Sequence, residues 1–271
     1  MHPYATAAIG LSIILVATTL GSSFVFFLRK GSFSPKLSNI LTGLASGIML
    51  SASFFSLLLP AIQTKITYMP SWVLCAIALL VGAGFLWVID ILLPHIHGLA
   101  NKEEGLHSAR LNRTTKMFLA VTIHNIPEGL SVGIAFGVAL ALNRDNPSAP
   151  ETLTALSGAL SLSIGIAIQN IPEGAGVSLP IKVESGSTKK AFLFGTLSGV
   201  VEPIAALFGL FLAFAIEAIM PWALAFAAGC MIYVVAEEMI PDFKAESGSR
   251  EGVWAFLIGF TIMMALDVAL G

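Results

Sequence analysis

Eight long apolar stretches separated by short polar breaks leave this chain almost no choice of environment. They fall at about 4–28, 37–63, 70–93, 114–142, 152–180, 190–216, 220–240 and 252–270. Each is close to or above the roughly 20 residues that carry a helix across a hydrocarbon core of about 30 Å. The breaks are rich in turn formers: Gly31-Ser32, Met69-Pro70, Asn143-Arg144-Asp145-Asn146-Pro147, Glu184-Ser185-Gly186-Ser187 and Glu246-Ser247-Gly248-Ser249. Only 11% of the 271 residues are charged, 56% are apolar, and the mean hydropathy is +0.88. A water-soluble domain carries about 25% charge, so a soluble surface cannot be assembled from this composition. The expectation is an all-α membrane protein, a single polytopic domain over residues 1–271 with eight transmembrane helices and a loop at about 94–113.

The placement of positive charge orients these helices. Of the 14 Lys and Arg residues, 12 lie in or beside the first, third, fifth and seventh loops, and only Lys65 and Arg144 lie in the even ones. Basic residues stay on the cytoplasmic side. The odd loops, including 94–113, are therefore expected inside, and both termini outside the cytoplasm of a cell-membrane protein. The first apolar run is too long for a signal-peptide core and ends in Arg29-Lys30, so it is read as a retained span. No basic stripe suggests a nucleic-acid partner. Cys75 and Cys230 both fall within apolar runs and are read as packing residues.

Acidic residues at bilayer depth carry the information about function. Glu128, Glu173 and Glu202 fall near mid-span, while Asp90, Glu237, Glu238 and Asp267 lie closer to span ends. A charge at a helix centre costs about 2.5–3.5 kcal/mol on insertion scales. Three of them amount to on the order of 10 kcal/mol, comparable to the net stability of a whole domain. No Lys or Arg occupies the middle of any span. The glutamates therefore require a wet cavity, a proton or a bound metal cation.

Two of these glutamates belong to a repeat. His124-Asn125-Ile126-Pro127-Glu128-Gly129 and Gln169-Asn170-Ile171-Pro172-Glu173-Gly174 agree at five of six positions, 45 residues apart. Successive spans run in opposite directions, so spans 4 and 5 are expected to form an inverted pair of proline-kinked, ligand-bearing helices. Residues four apart share a helix face, which stacks His124 on Glu128 and Gln169 on Glu173. Pro127 and Pro172 cannot donate to the carbonyls of Ile123 and Ile168 and are expected to open the helix there. Glu202-Pro203 repeats the device in span 6. One imidazole with several carboxylate and amide oxygens suits Zn²⁺, Fe²⁺, Mn²⁺ or Cd²⁺. Amide oxygens are weak ligands, as an ion that must leave again requires.

These hexapeptides, with Ser198-Gly199-Val200-Val201-Glu202-Pro203 in span 6, resemble the signatures of the ZIP family of metal transporters, most closely its prokaryotic GufA-type branch. Ala45-Ser46-Gly47-Ile48-Met49-Leu50 and Met263-Met264-Ala265-Leu266-Asp267 extend the resemblance over nearly the whole chain. It implies a binuclear mid-membrane site bridged by Glu128 and Glu173. The first metal position would use His124, Glu128, Gln169 and Glu173, with Met49 close by. The second would use Asn125, Glu128, Asn170, Glu173 and Glu202. Asn170 stands where some members have aspartate, and Glu237-Glu238 where related members often have His-Glu. Given the orientation above, Asp90, Glu237 and Glu238 sit toward the cytoplasmic mouth as an exit relay. His95 and His97 in the third loop read either as a weak cytoplasmic metal acceptor or as part of a solvated loop.

The resulting expectation is transport of divalent metal, zinc foremost, toward the cytoplasm, with Zn²⁺ as bound substrate and no cofactor. The partners are the metal ions and the lipid bilayer, and a homodimer is compatible with the sequence. Two other classes compete. A proton-coupled carrier of an organic solute would use the glutamates as relays, but has no need of histidine and amides stacked at i and i+4. An intramembrane metalloenzyme would keep three firm ligands plus water, whereas only His124 lies at membrane depth and no His-Glu-x-x-His occurs. The orientation is directly testable. A cysteine at Ser108 should react with an impermeant thiol reagent only in opened or inverted membranes, and one at Ser148 in intact cells; the reverse pattern would overturn the charge-based topology.

Overall fold

The computed structural model describes residues 2–27, 34–92, 95–96, 103–104, 113–215, 219–244 and 250–270. Among them are eight helices long and apolar enough to cross a membrane. They are α1 (Pro3–Phe27), α2 (Lys36–Gln63), α3 (Ser71–Leu92), α4 (Thr114–Asp145), α5 (Pro150–Ser185), α6 (Thr188–Phe214), α7 (Met220–Phe243) and α8 (Glu251–Leu270). Their ends lie within a few residues of the apolar runs, because the same punctuation stops them. Ser34 caps α2, its hydroxyl accepting from the Leu37 amide at 3.2 Å, with Pro35 in the first turn. Gly186 closes α5 at φ +68°, a left-handed conformation that glycine adopts without steric cost, and its amide returns to the Lys182 carbonyl.

Between α3 and α4 the described backbone comprises a short antiparallel ladder, His95–Ile96 against Glu103–Glu104. His97 and the remainder of the expected 94–113 loop lie outside the described residues.

The helices associate in groups. α1, α4, α5 and α6 pack extensively on one another, α2 lies along α8, and α3 along α7. α4 is the most enclosed, whereas α3 and α8 present most of their surface outward. That outward surface is apolar, with Leu80 70%, Trp72 67% and Trp254 64% exposed. A patch of this kind is stable against lipid and not against water.

The prolines act differently from one another. α4 and α5 continue as helix through Pro127 and Pro172, and α6 through Pro203. The helix widens elsewhere, in two π turns at Ser53–Leu58 of α2 and Val235–Met239 of α7. Each ends just ahead of a proline: the Leu59 amide bonds to Phe54 and the Ile240 amide to Val235, and Pro60 and Pro241 follow. A proline ring collides with the carbonyl four residues back. Spreading the preceding turn by one residue relieves that collision, and the extra residue is the mark of a π turn.

One of the close approaches in the bundle is a glycine seam. Gly129, Gly133 and Gly137 lie on one face of α4 directly against the α6 backbone at Glu202, Ala206 and Leu210. A Cβ at Gly133 would overlap the Ala206 carbonyl oxygen, and one at Gly129 the Glu202 carbonyl oxygen. In lipid, small residues spaced by four let two backbones meet and gain dispersion contact. Gly133→Ala is expected to lower thermal stability in detergent by about 1–3 kcal/mol. Gly158→Ala, a site with nothing within 4 Å of the added methyl, should leave it unchanged. Equal melting behaviour of the two variants would refute the seam.

Candidate metal centre

The seam sets the centre, because it holds the motif face of α4 against α6. Asn125, Glu128, Gln169, Asn170 and Glu202 are fully buried, and Glu173 is partly so. The three glutamates lie close enough to act on one another electrostatically. Their surroundings divide into two chemically distinct halves.

Around Glu202, hydrogen bonds are abundant. Its Oε1 accepts from the Thr18 hydroxyl at 3.0 Å and from Asn125 Nδ2 at 3.1 Å. Its Oε2 accepts from Asn170 Nδ2 at 2.5 Å. The same two amide nitrogens donate to main-chain carbonyls, Asn125 to Ser198 at 2.9 Å and Asn170 to Ile14 at 3.2 Å. Glu202 thereby ties α1, α4, α5 and α6 together at one carboxylate.

Around Glu128, hydrogen bonds are missing. Both Glu128 oxygens, Gln169 Oε1 and Nε2, Asn125 Oδ1, Asn170 Oδ1 and one Glu173 oxygen are buried without a hydrogen-bond partner. Leaving a buried polar group unsatisfied costs about 1–3 kcal/mol, and native proteins avoid it. All but one of these atoms are oxygens with lone pairs to give, a set that a cation can satisfy. Met49 is fully buried in the adjoining apolar cluster with Ile123 and Ile166.

His124 links this group to a second one. Its Nε2 is 2.6 Å from Glu238 Oε1. Asp90, His124 and Glu238 bring one ligand atom each to within 4.8 Å of one another, from α3, α4 and α7. Tyr233 also reaches Asp90. Asp90 and Glu238 are buried, whereas Glu237 is exposed and outside this group. The π turn of α7 carries both glutamates, and π turns are frequent at functional sites. Asp267 is held elsewhere, by Ser56 at 2.8 Å and Ser161 at 3.1 Å, joining α8 to α2 and α5. His95 is described by its backbone only.

Sequence reasoning named the glutamates and amides but missed Thr18, Ser198 and the pairing of His124 with Glu238. Thr18 carries a weak signal, a hydroxyl among the small residues of an apolar span. The His124 contact joins positions 114 residues apart and has no local signal.

A family model described as ZIP Zinc transporter matches residues 113–267. Over 99% of its length the chain is 33% identical to the zinc transporter ZIP11 of Xenopus tropicalis, covering 98% of that protein. It is 36% identical to the zinc transporter GufA of Myxococcus xanthus, over 95% of this chain and 97% of the relative. With the zinc transporter ZIPB of Bordetella bronchiseptica the identity is 32%, over 98% of this chain and 81% of that one.

Removing the imidazole takes from buried Glu238 its partner at 2.6 Å. His124→Ala is expected to destabilise the purified protein by about 1–3 kcal/mol, read as a lower melting temperature. The double variant His124→Ala/Glu238→Ala should recover part of the loss. Full stability of His124→Ala would show that the contact contributes nothing.

Proposed function

The chain belongs to the ZIP zinc transporter family, and on that premise we propose that it moves divalent metal, zinc foremost, across the cell membrane toward the cytoplasm. The family is one of transporters, not enzymes. The observation that carries the reading is the group of buried oxygens around Glu128 that lack any hydrogen-bond partner. In a region without Lys or Arg at mid-span, a passing cation is the partner that removes their cost.

Two adjacent ion positions fit these residues. The first uses His124, Glu128, Gln169 and Glu173, with Met49 at its border. The second uses Asn125, Glu128, Asn170, Glu173 and Glu202. Spans 4 and 5 act as an inverted pair, each presenting its hexapeptide to the other. Three carboxylates supply −3 against +4 for two divalent ions, and Asn170 replaces the coordination of an aspartate but not its charge. The second position is therefore the weaker one, since uncompensated charge is costly at low dielectric.

His124 belongs to two sets at once. An ion at the first position shares it with the Asp90–Glu238 pair, so a ligand common to both can pass the ion on without bare charge in between. Asp90 and Glu238, then exposed Glu237, lead to the cytoplasmic mouth, where His95 and His97 accept the ion. Both termini lie outside in this reading. Cd²⁺, Fe²⁺ and Mn²⁺ suit the same donors and compete.

Uptake of Zn²⁺ into proteoliposomes, with Cd²⁺, Fe²⁺ and Mn²⁺ as competitors, tests the whole. Glu128→Ala or Glu173→Ala removes a ligand from both positions and should reduce uptake to near background in protein that still inserts. Near-normal transport in either variant would sink the shared-ligand site.

A further inference from the structure

The asparagines at the second position have only one workable orientation. Turning either amide over would set its oxygen against a Glu202 oxygen and discard two hydrogen bonds. Each NH₂ spends both protons, one on Glu202 and one on a main-chain carbonyl. Both Oδ1 atoms consequently face away from Glu202 and have no partner. Asn125 and Asn170 are thus held as oxygen donors by the carboxylate beside them.

Glu202 has little left to give in return. A carboxylate offers about four lone-pair sites, two on each oxygen. Oε1 has filled both, with Thr18 and Asn125, and Oε2 has filled one, with Asn170. The Thr18 hydroxyl also lies 3.1 Å from the Ile14 carbonyl, but that oxygen already serves the helix and accepts from Asn170 at 3.2 Å. Its single proton therefore goes to Glu202. Gly199 leaves room for the Thr18 side chain, whose methyl, Cβ and hydroxyl all lie against the position a Cβ would take there.

Building on the transport reading above, we propose that Thr18, on α1, is a positioning residue for the second ion position. By filling a lone pair of Glu202 it holds that carboxylate to one free site and keeps the second ion loosely bound. Without the hydroxyl, Glu202 regains a lone pair and can grip the ion.

The test is zinc titration of the purified full-length protein in nanodiscs, with uptake measured in parallel. Thr18→Val keeps the methyl and shape and removes only the donor. It should tighten the weaker ion about tenfold, on the order of what one hydrogen bond is worth, and slow uptake at saturating zinc. The tighter ion should bind as in the parent chain, and Thr18→Ser should restore the original second affinity. If Thr18→Val does not fold, Thr18→Cys, a weak donor of similar size, takes its place. An unchanged or weakened second ion, or failure of Thr18→Ser to restore it, overturns the proposal. Failure of the transport reading looks different: Glu128→Ala would leave zinc binding intact whatever stands at position 18.

Discussion

The contact of α4 with α6 is backbone against backbone, and the centre is built outward from it. Glycines at 129, 133 and 137 remove the side chains that would otherwise hold two helices 8–10 Å apart. Asn125 and Glu128 sit immediately before the first of these glycines. The contact that seals the helices together therefore also delivers their ligands to Glu202, since the Glu202 carbonyl is the group Gly129 rests on. Packing and ligand placement are here one event, because the motif ends in the residue that makes the approach possible.

From that seam the polar groups sort by whether the protein completes them. Glu202 is nearly completed, by donors from three other helices, and it acts as structure as much as ligand. Glu128 and Gln169 are left incomplete in a place where water is scarce. A fully satisfied network rigidifies its surroundings, while unsatisfied groups are costly until something arrives to bind them. The centre combines both conditions: a rigid frame on one side and unmet coordination on the other.

Much of this was legible in the residues alone. Apolar runs located every span because lipid tolerates nothing else, and turn formers marked the ends. The hexapeptide repeat marked the glutamates because charge at that depth is too costly to be incidental. The partner of His124 was not legible, since Glu238 reaches it from α7 and no spacing rule links them. Glu237 and Glu238 read alike as neighbours, yet one is exposed and the other buried. The two π turns escaped notice as well. Pro60 and Pro241 widen their helices while Pro127, Pro172 and Pro203 do not, and tertiary packing decides which response each ring receives.

The π turn of α7 is in effect one surplus residue wound into the helix. An α-helix advances about 100° per residue, so everything beyond the surplus is rotated by that angle relative to a helix without it. Glu238 faces His124 with the surplus in place. At ordinary pitch the azimuth of one residue would pass to its neighbour, the Ile240-to-Val235 hydrogen bond would be lost, and the Pro241 ring would meet the carbonyl four residues back. The helix thus holds a stored phase offset, and the acid presented to the histidine is a property of winding as well as of sequence.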